Sequence, residues 1–427
     1  MSIVRLRHLA EVNPLTPAFD RLANEEELTF LPMEAVWPGE RLDISRRRTK
    51  ASVATGYTRF QDGDVLVPKI TPTFEAGRSV LIRGLHRGVG TGSTELHVLR
   101  PGPLVDPRFL LYVVNTHSFL KQGEAEMYGV AGQQRVPDAF LRDLPVQLPS
   151  LEEQHRIADF LDAETLRIDT LAQIAQQGKK LLNERRWATV HAAVTGLGSS
   201  EGKKDRGLGW TESLPERWPV VPLKWIATLG SGHTPSRSRP EYWENCSIPW
   251  ISLFDVGRMR DARQEQLNET VQQISKLGMA NSSACLHPAG TVVLSRTASV
   301  GFSTVMGLDM AVSQHFVTWT CGESLSPYYL LHTLRAMRQY FESVQVGTTN
   351  VTVFMPDLNA IKVPLPPLNE QELIVQSIRA QTARIDALAE NFDRQVRLLA
   401  ERRQALITAA VTGQIDVSTA SGRGIEE

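Results

Sequence analysis

The chain has 427 residues, 42% of them apolar and 22% charged, and a formal net charge of −1. That length exceeds one ordinary domain and accommodates two, each able to bury its own core, while the composition excludes disordered, collagenous and membrane-spanning classes. A near-neutral total gives no general attraction to nucleic acid, so a polyanion would have to be met by local basic surfaces.

Residues 1–147 are predicted to form a first α+β domain. The opening ten residues carry no apolar h-region, and no stretch of the chain approaches the roughly 18 uninterrupted apolar residues of a spanning helix. Neither secretion nor membrane contact is expected. Short β-prone runs follow turns, as Asp64-Val65-Leu66-Val67 follows Gln61-Asp62-Gly63, and a helical pattern is confined to Phe109–Leu120. Arg46, Arg47, Arg48 and Lys50 make a basic run suited to phosphates, which a solvated loop explains as well. Lys69 follows the β-run, and Gln133, Gln134 and Arg135 come shortly before the domain ends; Gln suits adenine and Arg guanine, though surface solvation fits each one alone. Gly88-Val89-Gly90-Thr91-Gly92 lacks the Lys-Ser/Thr ending of a phosphate loop and is read as a hairpin turn.

Residues 148–196 are predicted as a long helix. Leu161, Ile168, Ala175, Leu182 and Thr189 recur every seven residues, the seam of a coiled coil, with Leu171 widening it. Pro149 marks its start and Gly196 its end, and some 40 helical residues make a rod of about 60 Å that must find a partner. Residues 197–208 follow as a linker, whose run Leu197–Arg206 is polar and reads as flexible.

Residues 209–364 are predicted as a second α+β domain, with Thr291-Val292-Val293-Leu294 after Pro288-Ala289-Gly290 and a helical pattern from Tyr328 to Phe341. Arg296 follows the β-run as Lys69 does in the first domain, and Asn350 occupies the neighbourhood matching Gln133; solvation fits these equally. All three cysteines, Cys246, Cys285 and Cys321, fall here at wide spacings without a Cys-x-x-Cys pair. Neither a disulfide framework nor a structural zinc site is expected, and a reducing cytoplasm is the natural location. Residues 365–413 repeat the long helix, with Ile378, Ile385, Phe392, Leu399 and Leu406 on the seam, Leu388 and Val396 widening it, and Pro367 and Gly413 at its limits. Residues 414–427 read as a flexible tail.

The chain is thus written twice. Leu148–Gly196 and Leu365–Gly413 align without a gap at an offset of 217 residues, sharing Glu-Gln (153–154, 370–371), Arg-Ile-Asp (167–169, 384–386), Glu-Arg-Arg (184–186, 401–403) and Ala-Ala-Val-Thr-Gly (192–196, 409–413). The offset returns where Ile3-Val4-Arg5-Leu6 faces Val220-Val221-Pro222-Leu223, and drifts to 220 where Asp106-Pro107 faces Ser326-Pro327. A period this long is outside the solenoid range and means two tandem copies of one unit related by a pseudo-two-fold axis.

The Leu-Pro-x-Leu-x-Glu-Gln segment opening each long helix, with the Glu-Arg-Arg and Ala-Ala-Val-Thr-Gly segments closing it, resembles the conserved regions of type I restriction-modification specificity subunits. The start of the second domain, Gly209-Trp210 through Leu214-Pro215-Glu216-Arg217-Trp218 to Gly230-Ser231-Gly232-His233-Thr234-Pro235, is similar to the same family's second recognition domain. The resemblance spans nearly the whole chain. It implies two target-recognition domains separated by two long antiparallel coiled-coil helices, each domain reading one half of a bipartite, asymmetric double-stranded DNA target. It implies two modification subunits, one docked on each repeat, which carry adenine methylation and bind S-adenosylmethionine, and a restriction subunit that can join them; this chain would hold no cofactor or metal and catalyse nothing. Readers on a rod match half-sites about one helical turn, 34–36 Å, apart, and helix length would set the spacer. The first domain departs from the pattern, with Asn13-Pro14-Leu15-Thr16-Pro17 for Gly-Ser-Gly-His-Thr-Pro, so the two domains are expected to read different sequences.

Glu153, Gln154, Glu370 and Gln371 fit both a helix cap and a docking surface, and Glu184, Arg185, Glu401 and Arg402 join them as docking candidates. No His-Glu-x-x-His, Gly-x-Ser-x-Gly or Asn-Pro-Pro-aromatic motif is present, and the ten histidines are scattered. An enzyme reading therefore lacks its chemistry. A coiled-coil scaffold that binds protein and not DNA shares the architecture and is the alternative.

Overall fold

The computed structural model describes residues 2–36, 42–130, 133–197, 202–347 and 351–417. It divides into two compact units, Met1–Gln176 with Arg394–Glu427, and Gln177–Asp393. Each unit therefore holds one β-rich domain and a segment of each long helix.

In the first unit, one four-stranded sheet runs in the order Ala10–Val12, Leu96–Pro101, Val65–Pro68, Val80–Leu81, all antiparallel. A second runs Arg47–Thr49, Glu27–Leu31, Val89–Gly92, Thr58–Gln61, its central pair parallel. The run Val65-Leu66-Val67 is wholly apolar because both faces of its strand are covered. Val65 and Val67 join Leu99, Phe109 and Phe119 in the main core, whereas Leu66 joins Leu31, Phe60 and Val98 between the sheets. Ser2–Arg5 pairs with Pro145–Leu148 and so closes the domain at the start of the long helix.

The second unit repeats the plan. Its larger sheet has five strands, Ala227–Ser231, Phe316–Cys321, Val292–Ser295, Ser303–Met306, Gln266–Leu267; its smaller sheet has Gln272–Ile274, Ile248–Ile251, Met310–Val312, Leu286–His287. Val292 and Leu294 face the main core and Val293 the space between the sheets. The expected helical stretches appear as Pro107–Val113 with His117–Ala125 and as Pro327–Ala336 with Arg338–Val344. Asp106 caps the first of these, accepting from the Arg108 and Phe109 amides at 2.8 and 3.0 Å.

The long helices are Leu151–Thr195 and Leu368–Val411, 45 and 44 residues. Both end as the sequence predicts, at Gly196 (φ 63°) and Gly413 (φ 71°) in the left-handed conformation that caps a helix. In the second unit the helix segments are antiparallel: Lys179 meets Asp393 at 2.6 Å, Arg186 meets Asp386, and Gly178 leaves room for the Phe392 ring. In the first unit Asp169 meets Arg403 at 3.5 Å, so the last arginine of each Glu-Arg-Arg pairs with the aspartate of an Arg-Ile-Asp. The predicted seam is buried at Leu161, Ile168, Ala175, Ile378 and Ile385 and half-buried at Leu182, Phe392, Leu399 and Leu406.

Each domain is joined to its helix by a buried glutamine. Gln154, with no exposed surface, donates to the carbonyls of Leu104 (3.1 Å) and Pro149 (3.0 Å) and accepts from the Asp106 amide (2.8 Å). Gln371, equally buried, donates to Ser324 (2.9 Å) and Pro366 (2.8 Å) and accepts from the Ser326 amide (2.9 Å).

Three expectations are corrected. Leu171 and Leu388 are 48% and 52% exposed and do not widen the seam. Gly88–Gly92 is not a hairpin turn: Val89–Gly92 is an interior strand, where a Cβ on Gly90 would lie 2.3 Å from the Phe60 ring and one on Gly92 2.1 Å from the Leu31 oxygen. The linker is held where it is described, with Lys203–Lys204 paired to Leu214–Pro215 and Arg206 donating to the Glu216 carbonyl at 2.7 Å.

Replacing Gln154 or Gln371 with Leu strands one buried amide and two carbonyls, and is expected to cost about 3 kcal/mol or more in thermal or urea unfolding. An added Cβ at Gly232 falls 1.8 Å from the Val312 carbonyl oxygen, so Gly232→Ala must move backbone. It is expected to lose at least about 2 kcal/mol by the same measurement; unchanged unfolding would contradict the packing described.

Candidate nucleic-acid interface

The first domain gathers Lys69 and the segment 133–135 into one loop cluster at the end of its main sheet. The Lys69 amide donates to Glu95 O (2.8 Å), and the Val136 amide to Lys69 O (2.9 Å). The Thr71 amide donates to Gln134 O (3.1 Å), and Tyr128 and Arg135 exchange two backbone bonds. Arg135 forks onto the Glu95 carboxylate at 2.7 and 2.9 Å, holding that carboxyl below its usual range. The Lys69 ammonium donates to Thr94 O at 3.1 Å, and burial lowers its pKa. Beneath the cluster His97 bonds the Val136 carbonyl at 3.0 Å; burial pushes its imidazole down to about 4, so it is neutral at pH 7. Gln133 stands exposed at the rim.

Arg296 occupies the same place in the second domain. Its amide donates to His315 O (2.9 Å), its carbonyl accepts from Val353 (2.9 Å), and its Nε donates to Gln314 O (3.2 Å), the bonds Lys69 makes to Glu95, Val136 and Thr94. Asn350 lies outside the described residues. Two chain segments that share little sequence at this point thus present different cations on one backbone frame.

The basic run of the first domain lies along the exposed edge of its second sheet, on and beside the strand Arg47–Thr49. Arg46 pairs with Glu34 at 2.9 Å, Arg47 donates to Thr29 Oγ1 at 3.1 Å, and Arg48 lies over the Phe30 ring at 4.6 Å. The Lys50 ammonium donates to the carbonyls of Asp20 (2.9 Å) and Leu22, which ties that loop to the end of the edge strand. The strand at the matching edge of the second domain carries Gln272 and Gln273, with Arg237 beside them. Sequence reasoning missed these three; the Ser236-Arg237-Ser238-Arg239 run next to Trp243 and Trp250 was the available signal.

Further cations line a cleft of about 380 Å³ in the second unit, among them Arg186, Arg260, Arg263 and Arg335, with Asp261, Asp386 and Asp393 balancing them. Arg335 donates to the carbonyls of Ala262, Gln264 and Ser303, and burial pushes its pKa down to about 10. Nearby, burial works to raise the Glu265 carboxyl, but hydrogen bonds from His332 (3.1 Å) and Arg379 (2.6 Å) prevail and hold it at about 2.

Of the docking candidates, Glu184, Arg185, Glu401 and Arg402 are exposed and Glu153 is half-buried. Glu370 is engaged in a two-pronged pair with Arg217, both bonds 2.6 Å. Gln154 and Gln371 are corrected: their side chains are consumed inside the domain–helix joint and offer no surface. Among the described residues no cluster of His, Cys, Asp and Glu is set to hold a metal, and no helix is long and apolar enough to cross a membrane.

The sequence profile described as the type I restriction modification DNA specificity domain matches residues 76–178 and 215–393. The chain is 39% identical over 156 residues to the type I restriction enzyme EcoAI specificity subunit of Escherichia coli, a match covering 36% of this chain and 26% of that relative. It is 23% identical over 345 residues to the MjaVIII specificity subunit of Methanocaldococcus jannaschii, covering 76% and 74%. Its fold is similar to a chain solved in work on complex assembly and conformational transition of the type I R-M system, with TM-score 0.69, 19% identity and 97% and 98% coverage. It also resembles the HsdS subunit of Thermoanaerobacter tengcongensis, with TM-score 0.51, 20% identity and 97% of each chain covered. Two matched segments, one in each repeat and together more than half of the sequence, place this chain in the family of type I restriction-modification DNA specificity subunits.

Proposed function

We propose that this chain reads a bipartite, asymmetric DNA target and thereby directs a methyltransferase that carries the chemistry. The observation that supports the reading most is the correspondence of Lys69 and Arg296: one backbone frame, repeated in both domains, holding different half-buried cations at equivalent loop positions. Duplicated frames with exchanged side chains suit two half-sites of unlike sequence, because hydrogen-bonding edges of bases are told apart by side-chain type. The exposed Arg46 and Arg47 suit backbone phosphates, which position a protein without specifying sequence.

In this reading the two long helices, each running from one unit into the other, fix the spacer between half-sites. Two modification subunits bind the repeats, using the exposed Glu184, Arg185, Glu401 and Arg402, and contribute S-adenosylmethionine and the methyl transfer; a restriction subunit can join them. The complex works in the cytoplasm, and this chain contributes recognition and no catalysis.

Genome-wide mapping of methylated adenines in a host carrying the partner methyltransferase, with and without this chain, tests the proposal. A two-part motif that disappears with the chain is expected, and unchanged methylation would move the protein-binding scaffold to first place. For the assembled complex, Arg46→Ala with Arg47→Ala is expected to weaken binding to all duplexes alike. The slope of log affinity against log salt should become shallower by about 2, roughly 0.9 for each phosphate no longer neutralised. A changed sequence preference with an unchanged slope would remove these residues from the phosphate-binding set.

A further inference from the structure

At the edge of the smaller sheet in the second domain, the segment 233–238 is closed onto two tryptophans. Trp250 Nε1 donates to His233 O at 3.3 Å and Trp243 Nε1 to Ser236 O at 3.1 Å, so both indoles are bonded to the loop they support. The rings meet edge-on, centroids 5.5 Å apart at 73°. Arg237, exposed to solvent, lays its guanidinium over Trp243 with Cζ 3.9 Å from the ring centre and 5.7 Å from that of Trp250. One of its N–H groups donates to Gln272 Oε1 at 3.1 Å, and Gln272 sits on the edge strand directly opposite Trp250.

An exposed arginine ordinarily samples many rotamers. This one is held in a plane by stacking and in rotation by an amide, the preorganisation that recognition of a flat, two-acceptor partner requires. The first domain carries a stacked guanidinium at the same place. Leu31 O accepts from Ser93 and Ile251 O from Ser313, which puts Phe30 and Trp250 at one strand position. The Arg48 guanidinium lies 4.6 Å from the Phe30 ring, which Tyr57 meets edge-on at 5.4 Å. The two cations come from different segments, Arg48 from the edge strand and Arg237 from the loop. What the copies share is a guanidinium stacked at this place, not a residue inherited at one alignment position.

We infer that Arg237 is a specificity-determining residue of the second domain, contacting the N7 and O6 acceptors of a guanine in the major groove. Gln272 is its positioning residue and Arg48 its counterpart in the first domain. The inference rests on the DNA-reading function proposed above.

The test uses the full chain assembled with its methyltransferase and a panel of duplexes in which each base of the mapped target is replaced singly. Arg237→Lys keeps the charge and loses the planar fork. It is expected to reduce discrimination at one guanine of the second half-site by about tenfold or more, with the first half-site read as before. Gln272→Ala is expected to weaken the same position by a smaller factor, and Arg48→Lys to act only on the first half-site. Equal weakening of every duplex by Arg237→Lys would make it a phosphate anchor and overturn the inference, as would unchanged discrimination at every position. A wild-type complex without sequence preference would instead bring down the DNA-reading function itself. Should Arg237→Lys melt below the wild type, Gln272→Ala decides alone: a loss of discrimination confined to one second-half-site guanine upholds the inference, and none overturns it.

Discussion

Gln154 and Gln371 each put a primary amide where no water reaches, and each satisfies three backbone groups that would otherwise be orphaned. Two of those groups belong to the turn before the domain's helix at Pro107 or Pro327, and one to Pro149 or Pro366, two residues ahead of the long helix. The bonds therefore tie each β-rich domain to its helix at a set angle. An unpaired buried amide or carbonyl costs far more than a satisfied one contributes, so the joint has one acceptable geometry and departures from it are steeply penalised. Every loop that the domain presents inherits its position from that joint.

Beyond the joint, each domain is a pair of packed sheets whose central strands are buried on both faces. Such strands tolerate little variation, as Val65–Val67 and Val292–Leu294 illustrate by remaining apolar throughout. The loops and edge strands face no such limit. Lys69 can stand where the second domain has Arg296, and Arg46 where it has Gln272, because the frame is held by backbone bonds that do not depend on the side chain. A rigid interior with an exchangeable rim lets surface side chains change without changing how the domain folds.

Charge is arranged on the same logic. The chain is close to neutral overall, with a formal net charge of −1, and many arginines are paired inward, such as Arg186 with Asp386 and Arg403 with Asp169 across the helix pair. The cations left on the rim are held by stacking or by carbonyls: Arg48 on Phe30, Arg237 on Trp243, Lys69 on Thr94. A net charge counts all of these alike, which is why composition says nothing of the cations gathered on the rim.

The sequence by itself determined the duplication, the two long helices with their caps and seam, and the two α+β domains. Each rests on periodicity or on local backbone preference: the heptad through Leu161 and Ile168, the left-handed glycines 196 and 413, the identity of two segments 217 residues apart. Tertiary structure alone decided the rest. Gln154 reads as a surface residue in a polar helical turn until Leu104 and Asp106 are brought against it. Lys50 gives no sign in the sequence of the carbonyls of Asp20 and Leu22 that it bonds, and Gly90 and Gly92 read as a turn until Phe60 and Leu31 press on them. Arg237 gains its stacked, bonded pose only when a loop, two tryptophans and a strand 35 residues away converge. Polar side chains carry no periodicity of their own; their partners are remote in sequence, and only the fold says whether a charge is spent inside the protein or offered at its surface.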